Sequence, residues 1–369
     1  MARKLQSDKW LFLATLALIC TSVVMVYSAS ALVALERFQQ PYLFVTRQIM
    51  WAAVGIAVLS IVMRIDYRTY RNDKLIWGLL GLVGLLLVAV LFSRPVNGTR
   101  RWFGIGGFGI QPSELAKLSA IFFTALMLER RRHRINELGY ALLPIGVIAG
   151  GLAALILLEP DFGTAVSLLA VIGVMTFAAG FSYRYVFGAL LLALPALYVI
   201  LMQADYRRRR LLTFMDPWAD PLGDGFQVIQ SLIAVGTGGV FGKGLMNGVQ
   251  KLFYLPEPHT DFIYAVISEE TGLIGATLVL LCFCLIGWRG LRAALRAPDG
   301  FGAFLALGIT MMLVLQAFVN ISVVLGLMPT KGIPLPLVSN GGSSMLINLL
   351  GVGVLLNISQ HSNIETGAA

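Results

Sequence analysis

The stretch from Leu255 to Gly275, L-P-E-P-H-T-D-F-I-Y-A-V-I-S-E-E-T-G-L-I-G, joins a long, partly charged segment to an apolar run, with Asp261 at the seam. His259 and Thr260 can cap the helix that follows, which would put the Asp261 carboxylate in its first turn. Backbone amides and the helix dipole favour the ionised form there. Burial at a membrane surface pulls the other way and raises the pKa. A carboxylate between those pulls suits a general base or a metal ligand; an ordinary helix cap is the structural alternative.

Further charged residues occupy comparable settings. Gln111-Pro112-Ser113-Glu114-Leu115-Ala116-Lys117 reads as a helix start, with Glu114 and Lys117 three apart on one face. A lysine inside an apolar span costs about 2.5–3.5 kcal/mol on insertion scales, so it should face a polar cavity or lock two helices as an ion pair. Glu159-Pro160-Asp161-Phe162-Gly163-Thr164 interrupts another apolar stretch. Asp161 there is either a capping acid or a second carboxylate facing Asp261 across a cleft. The run Arg207 to Arg210 could grip phosphate oxygens bidentately, or lie solvated near lipid headgroups. Gly236 to Gly244 is a glycine loop carrying one cation, Lys243, after a helix-like stretch from Gln227 to Ala234.

These residues must be positioned by a chain that lives in lipid. Of 369 residues, 57% are hydrophobic and 13% charged, with a mean hydropathy of +0.81. A soluble chain carries about twice that charged fraction. The net charge, 28 − 19 = +9, is spread over short loops. It reads as topology and affinity for anionic lipid, and excludes nucleic acid as the partner. Cys20, Cys282 and Cys284 lie in apolar runs as packing residues and offer neither a disulfide framework nor a zinc site.

Runs at 10–33, 46–63, 74–93, 113–128, 140–158, 162–181, 185–203, 262–288, 300–327 and 342–360 can each cross about 30 Å of hydrocarbon. The first resembles a signal peptide, with Arg3 and Lys4 before it and Ala29-Ser30-Ala31 imitating a cleavage site, but its length makes it an anchor. Arg64, Arg68, Arg71, Lys74, Arg130 to Arg134, Arg184, Arg289, Arg292 and Arg296 fall on one side if both termini are cytoplasmic. The segments 94–112, 204–261 and 328–341 then face outwards. The predicted fold is an all-α integral membrane protein. It forms a single domain over 1–369, a polytopic bundle of about ten transmembrane helices with a large extracytoplasmic loop between spans seven and eight. The 328–341 loop has the Pro/Gly content of a re-entrant segment, tolerated at depth only where protein or a cavity surrounds it. Gly104, Gly106 and Gly109 spell G-x-G-x-x-G, which means a dinucleotide site only inside a soluble βαβ unit. Here they let an outward loop fold back tightly against the membrane, and no nucleotide is expected.

The spaced set N-G-T-R-R-W, Q-P-S-E-L-A-K, E-P-D-F-G-T, D-P-W-A-D-P-L-G-D-G-F-Q, L-P-E-P-H-T-D-F-I and P-L-P-L-V-S-N-G-G-S-S resembles the SEDS family (shape, elongation, division and sporulation), to which RodA and FtsW belong. The likeness covers nearly the whole chain, and the P-T-K-G and D-P-W-A-D-P forms lean towards the division member, FtsW. It implies a peptidoglycan glycosyltransferase that polymerises lipid II at the outer face of the bacterial plasma membrane. It also implies a class B penicillin-binding protein as crosslinking partner, together with other divisome or elongasome proteins. The family's essential acid falls on Asp261, and other sensitive positions match Arg101, Glu114, Lys117 and Asp161. The Y-x-R-x-R element matches Tyr206, Arg208 and Arg210. Lys243, His259 and Ser339, within or near these motifs, complete the candidate substrate-binding set. One departure is Asn340, where the family usually has tyrosine.

On this resemblance, Asp261 takes the proton of the acceptor 4-hydroxyl or holds a divalent ion, Mg²⁺ or Mn²⁺, that does so indirectly. Arg101, Lys117, Arg208 and Arg210 are candidates to neutralise the leaving pyrophosphate. An α-linked donor giving a β-linked polymer needs one inverting displacement and no covalent nucleophile. The rival readings are a lipid II flippase and a non-catalytic scaffold. Glu269 and Glu270 bear on the first, since they lie about 12–13 Å deeper than Asp261 on an ideal helix. Helix rotation favours Glu269 alone as a cavity residue.

Overall fold

The computed structural model describes residues 7–93, 99–105, 108–184, 205–252 and 254–365, with isolated positions between 185 and 204. Helices α1 (Lys9–Phe38), α2 (Leu43–Val62), α3 (Asp73–Val90) and α4 (Pro112–Arg131) come first. Then follow α5 (Leu143–Leu158), α6 (Phe162–Ala178), α7 (Asp205–Met215) and α8 (Phe226–Gly238). The chain ends with α9 (Ile263–Leu295), α10 (Gly300–Val324) and α11 (Gly342–Glu365). Side chains set several starts. Asp8 accepts from the Trp10 and Leu11 amides, Asn72 from Lys74, and Asp299 from Gly302.

The chain is a multi-pass membrane protein. Seven described helices are long and apolar enough to cross a bilayer: α1, α2, α3, the Gly139–Leu158 stretch containing α5, α9, α10 and α11. Helices α4 and α6 occupy the expected fourth and sixth spans, while the expected seventh, 185–203, lies largely outside the described residues. The expected outward loop 204–261 carries two helices of its own, α7 and α8. Helix α4 is buried from Ala116 to Leu128 and forms the centre of the bundle with α10 and α11. Helices α3 and α5 instead expose Leu82, Leu85, Val147 and Leu158, the signature of a lipid-facing shell. Cys20 and Cys284 are on exposed faces, not in packing positions, and all three cysteines are free.

Two of the three motif glycines lie in a short pair of strands, with Phe103–Ile105 antiparallel to Phe108–Ile110 and Gly104 opposite Gly109, while Gly106 lies outside the described residues. A Cβ at Gly109 would stand 2.9 Å from the Trp102 ring, so close packing explains that glycine.

Helix α9 is broken at Gly272, where φ is 66° and ψ −165°, a conformation that glycine alone adopts readily. The groups freed by the break are met by the chain after α8. The Lys243 and Gly244 amides donate to the Glu269 and Glu270 carbonyls at 3.0 Å each. The Leu273 and Ile274 amides donate to Gly239 and Val240 carbonyls at 2.9 and 3.3 Å. The backbones approach so closely that a Cβ on Gly272 would lie 2.3 Å from the Gly242 nitrogen.

The two glutamates beside the break fasten the same loop. Glu269 takes Lys243 Nζ at 2.7 Å and the Val249 and Gln250 amides. Glu270 takes Lys251 Nζ, Ser28 Oγ and the Met246 amide. Both carboxylates are buried and partnered, which corrects the expectation that Glu269 alone turns inward. At the other end of α1, Asp8 pairs with Arg289 of α9 at 2.5 Å. Asp8 and Ser28 are about 30 Å apart along α1, close to the hydrocarbon thickness of a bilayer.

Gly272→Ala should therefore lower the melting temperature of the detergent-solubilised protein, by strain on the order of 1–3 kcal/mol plus the clash. Gly84→Ala, at a site with nothing within 4 Å of the added carbon, is the control. Equal melting curves for the two variants would contradict the account of the break.

Candidate functional site

The site is assembled where the chain before α9 meets the loop before α11. Several side chains fix that meeting. Ser339 Oγ donates to the Thr260 carbonyl at 2.6 Å and accepts the Leu335 amide at 2.8 Å. The Asn340 amide donates to the His259 carbonyl at 2.9 Å. From α10, Asn320 Nδ2 donates to the carbonyls of Asp261 and Ile333, each at 2.8 Å. One turn earlier, Gln316 Nε2 holds the Pro334 carbonyl at 3.0 Å. Its Oε1 accepts from Lys117 Nζ at 2.7 Å, and Lys117 pairs with Glu114 at 2.9 Å.

This clamp changes the place of Asp261. Its backbone partners keep residues 259–261 in turns, and α9 begins only at Ile263 after an uncapped Phe262. Asp261 thus stands before the helix, not in its first turn, and lacks the amide cradle the sequence suggested. Its Oδ2 faces Gly332, where an added Cβ would lie 3.0 Å away. Burial and the nearby Glu257 carboxylate push the Asp261 pKa up to about 7, with Asp161 adding to the rise and Arg210 and Arg101 opposing it.

Asp161 caps α6, accepting from the Thr164 amide at 3.2 Å and from Thr164 Oγ1 at 2.8 Å. Gln111 Nε2 donates at 3.1 Å to Oδ2, the oxygen that also accepts from Thr164 Oγ1. Arg101 is tied to the same turn through the carbonyls of Glu159 at 2.9 Å and Pro160 at 2.5 Å. The Glu159 carboxyl is buried with neither oxygen hydrogen-bonded, and burial followed by the Asp161 charge lifts its pKa to about 8. Arg210 donates to the Thr330 carbonyl at 3.4 Å. His259 is buried against the Phe44 ring at 4.8 Å, with Nδ1 unbonded, and burial lowers its pKa so that the ring is neutral at pH 7.

The structure thus brings Arg101, Asp161, Arg210 and Asp261 into one electrostatic cluster, with His259 two residues from the acid. It does not bring the others there. Glu114 and Lys117 are buried beneath the loop as supports for Gln316. Lys243 is at the α9 break, paired with Glu269. Ser339 is a fastener between two backbones. Arg208 is exposed on α7, and the Tyr206 side chain lies outside the described residues. Sequence reasoning passed over Gln316 and Asn320, although two amides four apart inside an apolar span are a signal for a shared polar task. Lys331 and Glu257 were also missed.

Among the described residues, no three His, Cys, Asp or Glu side chains come together as a metal cage. Mg²⁺ and Mn²⁺ do not require one, because one or two carboxylates with water and phosphate oxygens complete an octahedron. Asp261, with Asp161 in electrostatic range of it, is the carboxylate that could hold such an ion.

A family model described as cell cycle protein, for FtsW, RodA and SpoVE, matches residues 9–364. The chain is 45% identical over 357 residues to the probable peptidoglycan glycosyltransferase FtsW of Geobacter metallireducens, covering 95% of this chain and 94% of that protein. It is 42% identical over 365 residues to stage V sporulation protein E of Bacillus subtilis, covering 98% and 99%. Among solved structures it matches a chain from a peptidoglycan synthase complex that coordinates polymerization and crosslinking, with a TM-score of 0.81, 31% identity and 98% and 99% coverage. It also matches the rod shape determining protein RodA of Thermus thermophilus, with a TM-score of 0.71, 28% identity and 96% and 97% coverage.

The raised pKa of Asp261 has a consequence for stability. Between the ordinary aspartate value and about 7, the folded chain binds more protons than the unfolded one, so stability falls as pH rises through that window. The loss is roughly 1.4 kcal/mol per pH unit at most. Asp261→Asn should raise the melting temperature relative to wild type, and more at pH 8 than at pH 5. A pH-independent difference would show that burial of the charge is not the cause.

Proposed function

Because the chain belongs to the FtsW, RodA and SpoVE family of cell cycle proteins, we propose that it is a peptidoglycan glycosyltransferase polymerising lipid II into β-1,4-linked glycan. The observation that carries the site assignment is Asp261, an acid whose pKa burial raises to about 7 within electrostatic range of Arg210 and Arg101. A general base works best with a pKa close to the operating pH.

In the reaction, ionised Asp261 removes the proton of the acceptor 4-hydroxyl as its oxygen attacks the donor anomeric carbon. The bond from that carbon to the pyrophosphate oxygen breaks, and the configuration inverts. Arg101 and Arg210 meet the charge that develops on the leaving group. Arg101 is pre-set for this by its two backbone carbonyls, which cost no reorganisation during the reaction. The neutral His259 ring and the Phe44 ring beside it keep water from the back of the site. Mg²⁺ or Mn²⁺ held by Asp261 and Asp161 would supply further neutralisation of phosphate charge.

The site faces outwards in this reading. Arg68 with Asp299, Arg71 with Glu129 and Arg130 with Asp73 gather basic residues at the end of the bundle remote from Asp261. That end is the cytoplasmic one by the positive-inside rule, with both termini there and Asp261 outside the plasma membrane. A class B penicillin-binding protein is the partner expected of a chain shaped like a subunit of a peptidoglycan synthase complex. Identity to FtsW and sporulation relatives favours a role in septum formation over elongation. Transport is the weaker reading, since Glu269 and Glu270, the acids a flippase would use at depth, are each engaged by several donors.

The test is glycan formation from labelled lipid II in liposomes, with and without a class B penicillin-binding protein. Wild type should polymerise and Asp261→Ala should not, while both melt as folded proteins. The wild-type rate should rise with pH through about 7, since the base must be ionised, falling about tenfold per unit below it. Chelation of divalent ions should slow the reaction, and Mg²⁺ or Mn²⁺ should restore it. Lipid II crossing the liposome bilayer without any polymer would favour transport instead.

A further inference from the structure

One cation in the loop that abuts the acid has no task in the proton transfer described above. Lys331 lies between Thr330, whose carbonyl Arg210 holds, and Gly332, which abuts Asp261. Its stem runs along the first turn of α6, where a Cβ on Gly163 would be 3.7 Å from Lys331 Cδ. Its Nζ stands 5.0 Å over the Phe162 ring. Among the described residues, no carboxylate comes within ion-pair distance of that nitrogen, and Asp161 acts on it only from farther away. Burial outweighs that attraction and holds the Lys331 pKa below the usual lysine value.

A half-buried charge facing only a ring is destabilising unless something else compensates it. The segment presenting it is nonetheless among the most tightly fastened in the chain. Arg210 holds Thr330, Asn320 holds Ile333, Gln316 holds Pro334 and Ser339 holds Leu335. The contact with Phe162 would serve an apolar side chain of the same length equally well. The packing therefore explains the stem of Lys331 and leaves its charge without an internal counter-ion.

We propose that Lys331 is an anion-binding residue of the substrate site, which contacts the pyrophosphate of the polyprenyl-linked donor. The assignment deepens the glycosyltransferase reading and rests on it. A lysine ammonium is a compact point charge on a flexible stem, suited to following phosphate oxygens as they leave. Arg101 and Arg210 are tethered to backbone carbonyls, so Lys331 is the mobile member of the three.

The experiment measures binding apart from turnover. Farnesyl pyrophosphate is titrated into detergent-purified wild type, Lys331→Met and Lys331→Arg, with farnesyl alcohol and inorganic pyrophosphate as parallel probes. Lys331→Met keeps the stem and removes the charge, and Lys331→Gln replaces it if the methionine variant does not fold. Wild type and Lys331→Arg should bind farnesyl pyrophosphate with similar affinity. Lys331→Met should bind about tenfold more weakly, as expected for one charge-assisted contact. Farnesyl alcohol should bind all three alike. In the lipid II assay, Lys331→Met should raise KM more than it lowers kcat. Unchanged affinity in Lys331→Met, or no binding by wild type, would overturn the proposal. Inorganic pyrophosphate binding as tightly as farnesyl pyrophosphate would overturn the assignment to a lipid donor. Charge-dependent binding in a wild type that makes no glycan would uphold the anion site and sink the glycosyltransferase reading.

Discussion

A break in a helix inside a membrane protein frees amides and carbonyls that lipid cannot satisfy, and the half of the bundle that holds Asp261 is arranged around one such break. Gly272 ends the first two turns of α9 and starts a new helix at an angle. Every consequence follows from meeting the exposed groups. The chain leaving α8 must run alongside, which requires glycine at 242 for close approach. The next residues must stay there, which requires Glu269 and Glu270 to grip Lys243, Lys251 and the amides between them. Ser28 carries the same network into α1. The short segment 263–271 is thereby held from both sides, and Asp261 stands just before it.

A second layer of polar contacts rises from the middle of the bundle. Glu114 fixes Lys117, Lys117 fixes Gln316, and Gln316 with Asn320 fixes the loop from Ile333 to Pro334. Each member would be costly alone in an apolar interior, and each is matched by the next. The outcome is a rigid floor under the acid. Charged and amide side chains at membrane depth here support a site above them instead of lining a passage through the bilayer, which is why their presence does not imply transport.

The sequence made the membrane class, most of the spans and the acid legible, because apolar length and a lone carboxylate at a span boundary are local signals. The helix start at Asp261 was misread for a reason that is not local. Capping preference at His259 and Thr260 gives way to carbonyl contacts from Asn320 and Ser339, which are distant in sequence. Glu270 was misjudged because rotation on an ideal helix cannot anticipate a loop wrapping around the break. Lys243 and Ser339 look like ligand groups by type, yet their partners are internal. Lys331 escaped notice because a lysine in a Pro/Gly loop reads as solvated until Phe162 and the first turn of α6 are seen beside it.

Several of the groups around Asp261 are poorly satisfied as they stand. The acid is pushed towards its neutral form, Glu159 has no hydrogen-bond donor on either oxygen, and the imidazole of His259 leaves Nδ1 unbonded. This unmet polarity lies beside the acid, in contrast to Glu269 and Glu270, which are each bound by several donors. It is what a site complementary to a reacting pair requires, since groups already satisfied internally would have to give up partners when substrates arrive. Stability is surrendered locally, around one acid, because the break at Gly272 and the floor beneath it supply rigidity from elsewhere.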